Sequence, residues 1–269
     1  LDRWSLEAMT SPLDPEAVTS RAGEHGLTNS VLEASGYTVL RSDATGELVA
    51  VTMNWASPSK RNGRAVFDTL ALWRGKPLTL QTGRIGYGYK QSHFSYAPIA
   101  CNTVVVDGEN HSMLRAEQVA MLEGDLPAAR WLSPVQRPLY DGVEWARTAA
   151  VAGNTVVIID QLRSDQPRRF DWVTYPGGKV TGTTIGGEPA DWSDFAALHD
   201  QGVGYGELKD PRTATASHAV PATVRYDLGD GATGRLNLLG STDKLIRAIG
   251  WATWHPKQTP LVMQRTEDA

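Results

Sequence analysis

Cysteine is nearly absent: Cys101 stands alone among 269 residues, so no disulfide can form within the chain and the redox compartment is not legible from cysteine usage. Long apolar runs are missing too. No stretch approaches the roughly 20 residues that cross a bilayer as a helix, and the N-terminus has no basic segment followed by an apolar core, so no membrane partner is expected. Charge of either sign is close to balance, with 26 Lys and Arg against 30 Asp and Glu for a formal net of −4. That balance exerts no long-range pull on nucleic acid, and no basic run carries the interleaved aromatics that bind it. The glycines around Gly83 and Gly202 are not followed by a helical pattern, which excludes a phosphate loop. No Gly-x-Ser-x-Gly word occurs, which removes the commonest hydrolase signature. Phenylalanine is scarce, four residues against nine tryptophans, and flat rings on a β surface either fill a core or stack on sugars.

What is present is a long succession of short strand-like runs. Tyr37-Thr38-Val39-Leu40 and Leu48 to Met53 flank the turn Asp43-Ala44-Thr45-Gly46, a hairpin pattern. Gln118 to Glu123, Val143 to Val151 and Thr155 to Leu162 continue the rhythm, with Ala152-Gly153-Asn154 as a tight turn. Arg168 to Tyr175 follows, ended by Pro176-Gly177-Gly178. Residues Gly182 to Pro211 have weak periodicity and read as a long, mobile surface excursion. Strands resume at Ala222 to Tyr226, Gly234 to Leu239 and Ile246 to Thr253, and a last run covers Leu261 to Gln264, where a sheet with an unpaired edge is expected. Residues 1–30 read as a short connector with a helix starting near Pro15. Residues 31–269 read as an all-β domain, a large antiparallel β-sandwich.

The stretch from Gly63 to His111 organises the chain. It holds Gly63-Arg64-Ala65-Val66-Phe67-Asp68-Thr69-Leu70, then Leu80-Gln81-Thr82-Gly83 with the Gly86-Tyr87-Gly88-Tyr89 loop, then Cys101-Asn102-Thr103-Val104-Val105-Val106-Asp107-Gly108. Downstream stand Glu144-Trp145-Ala146-Arg147-Thr148, Val157-Ile158-Ile159-Asp160 and Asp171-Trp172-Val173-Thr174-Tyr175. In their order and spacing these words resemble the C-terminal β-sandwich domain of heparinase II/III-like polysaccharide lyases. The resemblance implies a supersandwich-like fold and an α/α toroid domain ahead of residue 1, to which residues 1–30 would be the connector. It also implies β-elimination on an acidic polysaccharide, with a toroid tyrosine, a sandwich histidine and often a zinc ion. This sequence departs from that pattern where the family carries its ligands. The family's two histidines of the first segment fall on Arg64 and Val66, its strand aspartate on Gln81, its third-segment histidine on Cys101, and a later histidine on Tyr175. Valine cannot ligate, and a thiolate with an amide is no zinc set, so neither metal nor other cofactor is expected.

Eliminating across a uronic acid requires neutralising the C5 carboxylate, removing the adjacent proton and protonating the leaving oxygen. Arg64 is suited to the first task, because a guanidinium clamps a carboxylate in bidentate fashion and stays charged; its plainer role is to pair with Asp68 or to stand solvated, and that role outweighs the clamp. Tyr87, Tyr89, His93, His111 and Tyr175 are the candidate acids and bases. Arg64, Tyr87, Tyr89 and Tyr175 are therefore the catalytic candidates, and Arg64, Tyr89, His93, Asn102 and His111 the substrate-binding ones. Against these stand plainer roles: Asp68 bracing a turn, Cys101 as a buried inert thiol, Asn102 and Asp107 holding backbone, and the histidines as solvated loop residues.

The expected function is the sandwich half of a polysaccharide lyase that is inactive by itself, with an acidic polysaccharide or oligosaccharide as ligand and a toroid domain or chain as partner. A non-catalytic carbohydrate-binding or structural module is the alternative. The start at Leu1 rather than Met suggests a processed or excised piece, and a secreted or periplasmic location is expected.

Overall fold

The computed structural model describes residues 29–267 except 44, 57–65, 84, 113–114, 123–125, 135, 137, 218–219, 241 and 253–256. Residues 1–28 of the expected connector, and Arg64, lie outside the described residues, while Ser30 at the connector's end is already in the first strand. Among the described residues strands dominate, and helix occurs only as short 3-10 segments such as Lys90–Tyr96 and Pro98–Ala100. Every strand pairing is antiparallel. The all-β sandwich read from the sequence is the observed fold.

The first sheet is a five-stranded meander of Ser30–Leu32, Tyr37–Ser42, Val49–Asn54, Asp68–Trp73 and Lys76–Pro77. A second meander joins Glu117–Leu122, Ala128–Leu132, Val143–Ala152 and Thr155–Ser164. Its last two strands are connected by Gly153 and Asn154 alone, and Gly153 at φ +55° supplies the left-handed residue that so tight a connection needs. The two meanders close on one another through Leu40, Val51, Met53, Trp131, Trp145 and Val151, all buried.

The third sheet is not a meander. Its six strands run in the order Ser193–Asp194, Lys209–Thr215, Lys244–Ala252, Lys257–Thr266, Phe170–Thr174, Val104–Val106. Toward its middle both faces are covered, and Val104–Val106 and the Leu261 to Met263 part of Lys257–Thr266 are continuous apolar runs buried throughout. Val105, Val173, Ile246 and Met263 meet Phe94, Ile99, Leu198 and Tyr205 on one side. On the other, Val104 and Trp172 join the meander core, while Leu245 and Val262 pack against a fourth sheet through Val224 and Leu238. That fourth sheet orders Glu188–Pro189, Lys179–Ile185, Ala222–Gly229 and Ala232–Leu238.

Two expectations are corrected. The closing run is no sheet edge: Lys257–Thr266 is paired on both sides, to Lys244–Ala252 and Phe170–Thr174. Residues 182–211 lie mostly at the surface but are not a loose excursion, because Leu198 and Tyr205 are fully buried and the Tyr205 hydroxyl donates to Asp171 Oδ2 at 2.5 Å. A few anchoring side chains, spaced without period, hold this segment, and periodicity cannot report them.

Candidate functional site

Asp68 opens its strand with its side chain turned inward. Phe67, just before it, sits at φ +62°, a conformation that costs a bulky residue about 1–2 kcal/mol and is maintained by surrounding bonds: its N–H donates to Asn54 O at 2.7 Å and its carbonyl accepts from Arg147. Beyond that reversal, Asp68 Oδ1 accepts the backbone N–H of Asn102 at 2.9 Å and Oδ2 accepts Gln81 Nε2 at 2.8 Å.

Asn102 joins three segments. Its Nδ2 donates to Leu80 O at 2.8 Å, and its Oδ1 accepts the N–H of Tyr175 at 2.8 Å and the hydroxyl of Thr174 at 3.2 Å. Its carbonyl accepts Arg147 Nη1 at 3.0 Å. Cys101 beside it is buried. Tyr175 is fully buried, its hydroxyl donates to Ile99 O at 2.6 Å, and burial, with the Cys101 and Asp68 charges beside it, pushes its pKa well up. The positions Gln81, Cys101 and Tyr175, distant in sequence, thus gather around Asp68 and Asn102. Both Asp68 oxygens, the Asn102 amide and the Tyr175 hydroxyl are occupied by protein partners.

The same network tests the zinc that the sequence resemblance implies. Zinc needs four nitrogen, sulfur or oxygen donors, whereas these positions offer Val66, an amide, one thiol and a phenol, and Asp68 spends both oxygens on protein donors. Among the described residues no three His, Cys, Asp or Glu side chains converge. The donor set does not fit zinc.

A second ionic network underlies the first. Arg147 and Asp160 are buried and paired at 2.7 Å; Asp160 also accepts the indole N–H of Trp145 at 2.7 Å and of Trp172 at 2.8 Å. The downstream words Glu144 to Thr148, Val157 to Asp160 and Asp171 to Tyr175 therefore meet in space. Asp171 in turn receives Arg265 in a bidentate pair, at 2.5 and 2.8 Å. The cost of burying Arg265 would lower its pKa, but the bonds and charge of Asp171 outweigh it and the pKa is raised.

The loop candidates stand elsewhere. Ile85 is fully buried and anchors the loop, and Tyr89 N–H turns back to Gly86 O at 3.1 Å. The 3-10 turn that follows inserts Phe94 into the core. As a result Tyr87, Tyr89, Lys90 and His93 are all exposed on one short segment, with Tyr87 68% exposed.

His111 is not brought to that segment. The residue is half-buried, and its ring lies edge-on to Tyr140 and Trp145 at 4.9 and 5.7 Å. Nδ1 accepts the N–H of Val66 at 3.0 Å, which leaves Nε2–H to donate to Val104 O at 3.2 Å. Burial, the largest influence, lowers its pKa to about 4 with help from the Arg147 charge and against the Val104 bond. A cavity of roughly 420 Å³ lies beside it, lined by Glu109, Asn110, Tyr140, Asp141 and Arg168. No sequence pattern groups these residues, since separate loops carry them; only Arg168, held to Asp107 at 2.8 Å, lies in a strand-like word.

Solved structures with this architecture exist. A heparan sulfate lyase HepC mutant from Pedobacter heparinus superposes with a TM-score of 0.58 at 11% identity, over 90% of this chain and 34% of that one. A crystal structure of heparinase III gives 0.56 at 10% identity, with the same coverage. The chain thus spans about a third of the length of these proteins, and identity this low speaks for the fold alone. No curated protein sequence is significantly similar to it. Residues 26–197 match the family described as "Heparinase II/III-like, C-terminal", well over half of the chain, and the chain belongs to that family.

Proposed function

We propose that this chain is the sandwich portion of a polysaccharide lyase acting by β-elimination on a uronic-acid-containing polysaccharide, and that it supplies binding surface rather than a complete set of reacting groups. The observation that supports this most is the division of labour among the candidates. Asn102 and Tyr175 are buried and bonded, the half-buried Gln81 is bonded to Asp68, and Cys101 is buried beside them, whereas Tyr87, Tyr89 and His93 are exposed.

In this reading the tyrosine rings stack against sugar faces, His93 hydrogen-bonds hydroxyls, and Arg64 clamps the C5 carboxylate of the uronate. The base and acid come from a preceding toroid domain, and the setting is secreted or periplasmic. His111, with a pKa near 4, is neutral at working pH and braces Val66 rather than carrying a proton.

Residues 1–269 alone should produce no unsaturated uronate, followed by its ultraviolet absorbance, from heparin, alginate, hyaluronan or chondroitin. They should bind at least one of these by calorimetry, and the double variant Tyr87→Ala, Tyr89→Ala should lose about tenfold in affinity, as removal of stacked rings implies. Turnover by the chain alone would overturn the reading. A second reading, a binding module without catalysis, is favoured by the same occupied network. Binding that never becomes turnover when the chain is joined to its preceding domain decides for it.

A further inference from the structure

The fourth sheet covers the core with one face and shows the other to solvent. Register places Arg225 directly opposite Arg235, with Gly182 as the third member of that row. Both arginines are exposed. Like charges directly opposite on an antiparallel pair repel, and the protein treats a second such pair differently. Arg212 and Arg247 are also cross-strand partners, yet there Arg212 is bonded to Asp194 at 2.8 Å and Arg247 lies over the Trp192 ring at 4.7 Å. Among the described residues neither Arg225 nor Arg235 has an ion-pair partner, and a side chain built on Gly182 would meet nothing within 4 Å.

The neighbouring rows are polar. Thr184, Thr223 and Asn237 form one, in which the Thr223 hydroxyl donates to Asn237 Oδ1 at 3.1 Å. Lys179, Asp227 and Thr233 form the other, and Asp227 is occupied by the turn, accepting the N–H of Gly229 at 2.8 Å. The face therefore carries three cations against one carboxylate on a molecule whose formal net charge is −4.

We infer that this face is an auxiliary binding surface for an acidic polysaccharide, in which one sulfate or carboxylate bridges Arg225 and Arg235 and the flanking hydroxyl and amide groups bond the sugar hydroxyls. A bridging anion removes the repulsion that the bare pair carries, and guanidinium forks match such oxyanions. Single-stranded nucleic acid fits worse, because it needs aromatic platforms and no aromatic residue lies on these rows. The inference rests on the polysaccharide reading for its ligand class, but names a surface on a different sheet from Tyr87 and Tyr89.

The test is calorimetric titration of residues 1–269 with a size-defined heparin oligosaccharide, using wild type, Arg225→Glu, the double variant Arg225→Ala, Arg235→Ala, and the tyrosine double variant. Both arginine variants should bind about tenfold more weakly, the loss expected for charged hydrogen bonds. Arg225→Glu should melt no lower than wild type, since glutamate opposite Arg235 replaces repulsion with attraction. That melting readout separates lost binding from lost folding. Unchanged affinity in both arginine variants overturns the inference, and if the tyrosine variant alone is weakened the polysaccharide reading survives without it. Absence of heparin binding by wild type, or equal binding of a DNA oligonucleotide of matched charge, overturns it as well.

Discussion

At the scale of single residues, Asn102 and His111 show how the chain's polar groups are used. Both were substrate-contact candidates in the sequence, and both turn out to satisfy backbone from other segments. Their neighbours in the chain were legible: the Cys101-Asn102-Thr103 word marks a junction, and Asp68 as a brace follows from its position at a strand start. Which partners they take was not legible, because Leu80, Tyr175 and Val66 come from three other stretches. The His111 ring carries a measurable consequence. Its folded pKa, about 4, lies below the ordinary value near 6.5, so above that pH both folded and unfolded chains hold it neutral. As pH falls from 6.5 toward 4 the unfolded chain takes up the proton first, and stability drops by about 3 kcal/mol in that window. Urea titrations of wild type and His111→Gln across this range should show the slope in the former and its flattening in the latter.

At the scale of elements, hairpins were the most legible features. Gly153 and Asn154, or the Asp43 to Gly46 turn, are local signals, and the strands they join are where alternation predicts them. The ladder Val104–Val106, Phe170–Thr174, Lys257–Thr266 has no local signal at all. Within it the register partners Asp171 and Arg265 are ion-paired, and the Arg147–Asp160 pair, with the Trp145 and Trp172 indoles on the same carboxylate, ties Phe170–Thr174 to the adjoining meander. Family words that looked like parts of a site are the fastenings of this scaffold. Breaking such a pair from one side strands the other charge. Asp160→Asn should therefore destabilise the chain by about 3–5 kcal/mol, read as a lower urea midpoint with an unchanged denaturant slope, whereas an exposed carboxylate such as Glu144 replaced by Gln should shift it by less than about 0.5 kcal/mol.

At the scale of the molecule, the family match and the fold do not share a boundary. The match ends at residue 197, but the six-stranded sheet takes Lys209–Thr215, Lys244–Ala252 and Lys257–Thr266 from beyond it. A fragment of residues 26–197 should lack a cooperative thermal transition and bind a hydrophobic dye, because Val105 and Val173 would face water instead of Ile246, Leu261 and Met263. The words that carry the likeness, from Gly63 to Tyr175, cover most of the meanders and the inherited positions, and none lies beyond Tyr175, where structure depends on distant pairing. The central place of Lys257–Thr266 also sets an order on biosynthesis. A ribosome delivers Val104–Val106 and Phe170–Thr174 long before the strand that must lie beside them, so the growing polypeptide leaves the exit tunnel with half a sheet unzipped. Closure of the sheet waits until residues 257–266 have emerged, and is slow in the manner of folds whose contacts span most of their length.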